Sequence, residues 1–266
     1  MKKVALVLSG GAALGFAHIG IIKVLQQNNI PIDIITGTSM GSLVGGAYAA
    51  GLSIEEMEKV IETFSRKHIV DFNPFVLADT GLLYGKKVTD LLKKLLGDKK
   101  IEDCKIKYSA IAADLYTGNK YVFKKGDLIT AIRASISIPV VFKPVKYEQM
   151  CLIDGGACDN LPVDDARKMG ADMVIAVDVC SEYQKPTKIK NPIDVIVSSA
   201  NVLISNFIKK QTDKGDIYIK LKQPGVTMDK FTSEEAKKSV NYGVKYAKRF
   251  LPKIKELLKE NGILNN

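Results

Sequence analysis

Two strand-turn-helix units stand back to back in the first fifty residues, and they constrain the fold more than any other feature of the chain. Val4–Leu8 is a short apolar run that ends at Ser9-Gly10-Gly11 and leads into a helical pattern from about Gly15 to Gln26. Ile32–Thr36 is a second such run, followed by a tight turn and the all-apolar helix Met40–Ala50. Strands this short and apolar are buried on both faces, and a helix between consecutive strands makes them parallel. The alternation continues, with strands expected at Tyr108–Ala113, Lys120–Phe123, Cys151–Asp154, Met173–Val179 and Ile217–Leu221. Helices are expected at Ser53–Ser65, Lys87–Leu96, Leu128–Ser135, Val163–Met169 and Ile193–Lys209. A long helix from Ser233 should be kinked or restarted by Pro252, which lacks a backbone N–H. The expected fold class is α/β, a mostly parallel central sheet sandwiched by helices in three layers. Sites in such sheets lie at the carboxyl ends of the strands.

A chain of 266 residues can bury a sizeable core without disulfides or metals. No repeat or Pro/Gly/Ser-rich linker divides it. Cys104, Cys151, Cys158 and Cys180 show neither zinc-site spacing nor the density of a secreted scaffold. The apolar stretch after Lys2 and Lys3 is too short for a signal peptide, so a cytoplasmic protein is expected. Ile34–Ile54 carries no charge and has the length of a membrane span. Its five glycines and its Thr and Ser residues divide it into strand, turn and helix, which reads as a buried central helix. The net charge is +10, and from Ser205 onward 14 Lys+Arg stand against 7 Asp+Glu. Residues 1–200 are therefore read as the catalytic domain, and 201–266 as a basic C-terminal strand and helices packed on it. The lysines lack aromatic interleaving, so no nucleic acid is expected. They fit either a solvated face on a core-packed helix or peripheral contact with an anionic membrane.

Gly37-Thr38-Ser39-Met40-Gly41 is a G-x-S-x-G sequence between a strand and a helix, the context in which a serine stands exposed on a sharp turn as a nucleophile. Ser9-Gly10-Gly11-Ala12-Ala13-Leu14-Gly15 opens the preceding helix with small residues, whose free N–H groups suit an anion such as the oxyanion of acyl transfer. A competing reading is a dinucleotide fingerprint with Asp33 as the ribose acid, but Asp33 stands at the start of its strand, where such an acid belongs at the end. Asp154-Gly155-Gly156 closes a short apolar run and reads equally as a carboxylate-bearing turn or as an Asp-Gly hairpin. His18 and His68 are the only imidazoles, and none follows Asp154, so the serine-acid-histidine order of an α/β-hydrolase is absent. Asp154 is then the best base for Ser39. His18 reads as packed or hydrogen-bonded, and His68 as a surface or capping residue.

These residues resemble the patatin-like phospholipases, lipid acyl hydrolases that use a Ser-Asp dyad. Gly10–Gly15, the Ser39 elbow and Asp154-Gly155-Gly156 match the family's three motifs in order, and Arg133–Pro139 and Asn160–Val163 are similar to bacterial members. The likeness runs roughly from Val4 to Val179. It implies Ser39 as nucleophile, Asp154 as base and the N–H groups around Gly10, Gly11 and Ala12 as the oxyanion hole. Gly15, Gly37, Gly41, Gly155 and Gly156 support these motifs. It implies a lipid ester substrate, phospholipid or lysophospholipid, and neither cofactor nor metal. Ala12 departs from a usual glycine; because a positive φ would cost alanine on the order of 1 kcal/mol, the loop is expected to take a geometry alanine tolerates. Leu14 stands where a basic residue is frequent, which shifts the expectation toward a lysolipid or simpler ester. An acyltransferase using the same serine and a non-enzymatic nucleotide- or phosphate-binding module are the alternatives.

Overall fold

The computed structural model describes residues 2–63, 65–71, 81–180 and 214–264, together with 189, 195, 196, 198, 199, 202, 203, 205 and 206. Eight strands form one sheet: β1 (Val4–Leu8), β2 (Ile34–Thr38), β3 (Lys107–Asp114), β4 (Lys120–Phe123), β5 (Val145–Tyr147), β6 (Met150–Asp154), β7 (Met173–Asp178) and β8 (Ile217–Lys220). Their order is β5-β6-β3-β2-β1-β7-β8, with β4 paired to β3 off this path. The β3-β2-β1-β7-β8 block is parallel, whereas β4 and β6 run antiparallel to β3 and β5 antiparallel to β6.

The period of two along the central strands builds the layers. Val4, Leu6 and Leu8 of β1 and Met173, Ile175 and Val177 of β7 face the main core, while Ala5, Val7, Val174 and Ala176 face a smaller one. On the main side lie α1 (Ala17–Gln27), α2 (Met40–Ala49), α3 (Ile54–Thr63), α4 (Lys86–Leu96), α5 (Leu128–Ser135) and α7 (Ser233–Glu260). The short α6 (Val163–Lys168) covers the other side through Val163 and Ala166. The sheet is mixed and flanked by helices on both faces, consistent with three layers.

Several local expectations shift. β2 spans Ile34–Thr38, two residues later than the apolar run suggests, because Gly37 and Thr38 pair with Ala110 and Ile111 of β3 and do not yet turn. The three-residue β5 carries no period long enough to read. Most of Ile193–Lys209 and the boundary at residue 200 lie outside the described residues. Helix α7 runs through Pro252 without a break. Lys248, whose carbonyl loses its partner there, and Pro252 are both exposed, so water solvates the freed group. Among the described residues no helix is long and apolar enough to cross a membrane, and α2 is buried centrally.

The basic C-terminal quarter joins this same body. β8 extends the sheet beside β7, and α7 lies along α1. The two helices meet at Gly20 and Gly243, where an added Cβ would fall 2.1 Å from the Val240 carbonyl oxygen and 2.0 Å from that of Ala17. Ala236, Val240, Ala247, Ile254 and Leu258 turn the apolar stripe of α7 into the core, leaving Lys237, Lys245, Lys248, Arg249 and Lys253 exposed.

Candidate active site

The sheet registers bring Ser39 and Asp154 together. On β3, residues 110–111 pair with both β2 and β4, and residues 112–113 with both β4 and β6. A strand has two edges, so β2 and β6 share the edge opposite β4, and β6 begins where β2 ends. Thr38 faces Ile111, and Asp154 faces the next residue, Ala112. Running in opposite directions, β2 and β6 meet carboxyl end to carboxyl end, with Ser39 and Asp154 at the junction. The Thr38 hydroxyl ties the ends further by donating to the Asp159 carbonyl at 2.8 Å.

Ser39 is the N-cap of α2 and takes φ 52°, ψ −124°. A left-handed φ on a non-glycine residue costs on the order of 1–3 kcal/mol and persists only where neighbours hold it. Its N–H donates to Ser135 Oγ at 2.9 Å, and its carbonyl accepts the Ser42 hydroxyl at 2.7 Å. Its own hydroxyl is near enough to the Asp154 carboxylate to favour the ionised form of that group. Both residues are nearly buried, at 6% and 7% exposure. Burial pushes the Asp154 carboxyl up to about 6, against the opposing pull of the nearby Ser39 hydroxyl and of the Gly156 N–H. That N–H donates to Asp154 Oδ1 at 2.8 Å, and the Asp154 N–H donates to the Ser137 carbonyl at 2.9 Å. The Asp154-Gly155-Gly156 turn is therefore neither hairpin nor free loop. Asp154 caps a short 3-10 turn, Gly155–Ala157.

The glycine loop crosses directly over the serine. A Cβ on Gly10 would sit 3.0 Å from Ser39 Cβ and 2.4 Å from Asn160 Oδ1, and one on Gly41 would sit 2.2 Å from the Leu8 carbonyl oxygen. Gly11, Gly15, Gly37 and Gly155 are close approaches of the same kind. None of these six glycines takes a left-handed φ. The left-handed residues are instead Ala12, at φ 47°, and Ser39. The expectation that the loop avoids a positive φ at Ala12 is thus corrected: a 3-10 turn over Ala12–Phe16 starts there, and its first residue must turn sharply out of Gly11.

The N–H groups of the loop have different partners. That of Gly10 donates to the Asn160 carbonyl at 3.2 Å, that of Ala13 to Met228 at 3.2 Å and that of Leu14 to Gly11 at 3.1 Å. The Gly11 and Ala12 N–H groups have no hydrogen-bond partner among the described residues. The Leu14 side chain is wholly buried.

Neither histidine takes part in the Ser39–Asp154 contact. His18 is fully buried, and its Nε2 donates to the Ser9 carbonyl at 2.9 Å. Burial lowers its pKa to about 4, so the ring stays neutral. His68 is exposed, and its Nδ1 accepts the Ser65 N–H at 3.2 Å. Asp33 is at the amino end of β2, where its carboxylate takes the Val4 N–H at 2.8 Å, on the edge of the sheet opposite the glycine loop. The dinucleotide reading therefore lacks its acid. Sequence reasoning assigned no role to Ser135, Ser137 or the Asn160 carbonyl. Their signal was the likeness of Arg133–Pro139 and Asn160–Val163 to bacterial members, and their partners lie from 17 to 150 residues away.

The Patatin-like phospholipase family model matches residues 6–167. An uncharacterised NTE-family protein of Mycobacterium tuberculosis is 36% identical over 190 residues, covering 71% of this chain and 52% of its own length. Lysophospholipase NTE1 of Candida albicans is 36% identical over 186 residues, 68% of this chain and 13% of that protein. Mouse patatin-like phospholipase domain-containing protein 6 is 33% identical over 184 residues, 67% of this chain and 14% of that protein. The chain thus spans about half the length of the mycobacterial relative and a far smaller part of the others. Among solved structures, VipD from Legionella pneumophila superposes with a TM-score of 0.63 at 15% identity, over 95% of this chain and 67% of that one, a likeness of fold. With three motifs in order, a matching family model over more than half its length and this sheet, the chain belongs to the patatin-like phospholipase family.

Proposed function

We propose that the protein is a serine acyl hydrolase that cleaves carboxylic ester bonds of lipids, with lysophospholipid or phospholipid as substrate class. The observation that carries the reading is the junction of β2 and β6, where a serine with a left-handed φ stands beside a buried carboxylate whose pKa is raised to about 6. An unperturbed aspartate, near 3.9, is a poor base for an alcohol; one near 6 is stronger and still ionised at neutral pH. Ser39 Oγ attacks the ester carbonyl as its proton passes to Asp154. The Gly11 and Ala12 N–H groups, with the N-terminus of α2 behind Ser39, stabilise the oxyanion. Collapse of the tetrahedral intermediate breaks the ester C–O bond, and Asp154 returns its proton to the leaving alcohol. Water then attacks the acyl-enzyme, giving its proton to Asp154, and Ser39 leaves as the hydroxyl with the acid as product.

The relatives named as lysophospholipases and the buried Leu14 at the loop both support a lysolipid over a diacyl substrate. The exposed lysines of α7 give an anionic bilayer an electrostatic partner without drawing the apolar stripe out of the core. A panel of lysophospholipids, phospholipids and p-nitrophenyl esters tests the reading, with Ser39→Ala alongside. Turnover should fall on the order of 10⁶-fold in the variant, and a fluorophosphonate should label Ser39 alone. A wild type that turns over none of these esters refutes the proposal.

A further inference from the structure

The loop that carries the two unpartnered N–H groups is gripped from the far end of the chain. Leu14, two residues past Ala12, is wholly buried, and its carbonyl accepts Gln223 Nε2 at 2.9 Å with Ser239 Oγ also at 2.9 Å. Ser239 Oγ also lies 2.7 Å from Gln223 Oε1. Gln223 is 6% exposed and Ser239 0%. One strand of backbone beyond β8 adds a third grip, the Met228 carbonyl on the Ala13 N–H. All three residues lie outside the segment 6–167 that matches the family model.

The triangle has a definite proton count. A serine hydroxyl has one proton, so Ser239 gives it either to Gln223 Oε1 or to the Leu14 carbonyl. In the first arrangement Gln223 holds Leu14 and Ser239 holds Gln223. If Gln223 is lost, the hydroxyl is free to turn to Leu14. Ala12, meanwhile, bears a left-handed φ that alanine disfavours by about 1 kcal/mol or more. A short 3-10 turn of five residues does not enforce that φ unaided, so its downstream end must be fixed.

We propose that Gln223 and Ser239 are positioning residues that hold the glycine loop in its left-handed conformation at Ala12 and so aim the Gly11 and Ala12 N–H groups. The consequence for turnover rests on the hydrolase reading, while the hold on the loop stands apart from it. Because the hydroxyl substitutes for the amide, Gln223→Leu and Ser239→Ala should each change kcat by less than about threefold. The double variant leaves the Leu14 carbonyl with the Ala17 N–H alone, a bond within the turn that ties it to nothing beyond, and should lower kcat about 10- to 100-fold with KM nearly unchanged, the pattern of a misaimed oxyanion donor. Adding Ala12→Gly removes the local preference against the left-handed φ and should recover most of the lost kcat. A purely structural role would give no such coupling between residues 12 and 223/239. Amide hydrogen exchange read at Ala13 and Leu14, whose N–H groups are bonded to Met228 and Gly11, supplies a measure independent of catalysis: it should speed up at least 10-fold in the double variant relative to α1. Unchanged exchange at those amides overturns the hold, whether or not the wild type hydrolyses lipid. Faster exchange with kcat intact in an active enzyme overturns its catalytic consequence, and an inactive wild type refutes only the hydrolase reading.

Discussion

The two strand-to-helix crossings, β1 into α1 and β2 into α2, are built alike and supported differently. Each opens a helix with small residues, each places one non-glycine residue at a left-handed φ, Ala12 at 47° and Ser39 at 52°, and each lies at the carboxyl edge of the sheet. The second is braced from within the family segment, by Ser42 and by Ser135. The first is braced on one side by Asn160 and on the other by Met228, Gln223 and Ser239. The geometry of Ser39 is thus set by the part of the chain that the family model covers, while the loop facing it is completed by a part that the family model does not reach.

Glycine substitutions break the comparison most severely. Gly41→Ala drives a Cβ into the Leu8 carbonyl, backbone against backbone in the centre of the fold, and should cost roughly 3 kcal/mol or more, leaving little folded protein by circular dichroism. Gly243→Ala meets the Ala17 carbonyl at a helix-helix contact that can part. It should cost about 1–3 kcal/mol in denaturant titration and reduce turnover in the protein that remains folded, by loosening α7 from the loop. Equal effects of the two substitutions would show that the crossings are not separately supported.

pH separates the same two regions more gently. The Asp154 carboxyl is raised to about 6 by burial, so kcat/KM should climb as pH rises through about 6 and then level. Folding favours its protonated form, so the associated stability is present below the unfolded value near 3.9 and is lost as pH rises through about 6. Asp154→Asn should therefore be inactive yet more stable than wild type at pH 7, by on the order of 2 kcal/mol in urea melts. His18 has the opposite sign. Its pKa is lowered to about 4, so the stability of the buried neutral ring is complete above 6.5 and is lost as pH falls toward 4. His18→Gln keeps a donor for Ser9 and should flatten that acid limb while leaving neutral-pH turnover within a few-fold of wild type, the smallest effect of the set.

What was legible in the sequence was local. The apolar runs of β1 and β7, the helix patterns and the glycine motifs each declare themselves within a few residues, because strand period, helix period and turn chemistry are short-range. The elbow context and the lack of a histidine after Asp154 pointed to Ser39 and Asp154, but no periodicity says that β6 abuts β2 on one edge of β3, since that depends on pairings of residues some forty to seventy positions apart. Ala12 was misjudged because its conformation is decided by Leu14's partners more than two hundred residues away. The restart at Pro252 did not occur, since the helix continues through an exposed position where only one ladder bond is lost.

The meeting of β2 and β6 makes β3 a ruler for the spacing of Ser39 and Asp154. Strand residues rise about 3.4 Å each and alternate faces, so sliding β6 by one position would swing the carboxylate to the other side of the sheet, and sliding it by two would carry it about 7 Å away. What fixes the slide is the other end of the same pairing, where the Cys151 N–H donates to Asp114 Oδ1 at 3.0 Å and the Leu115 N–H to the Cys151 carbonyl at 2.9 Å. A single residue inserted between Cys151 and Asp154 would part the carboxylate from Ser39 without touching either.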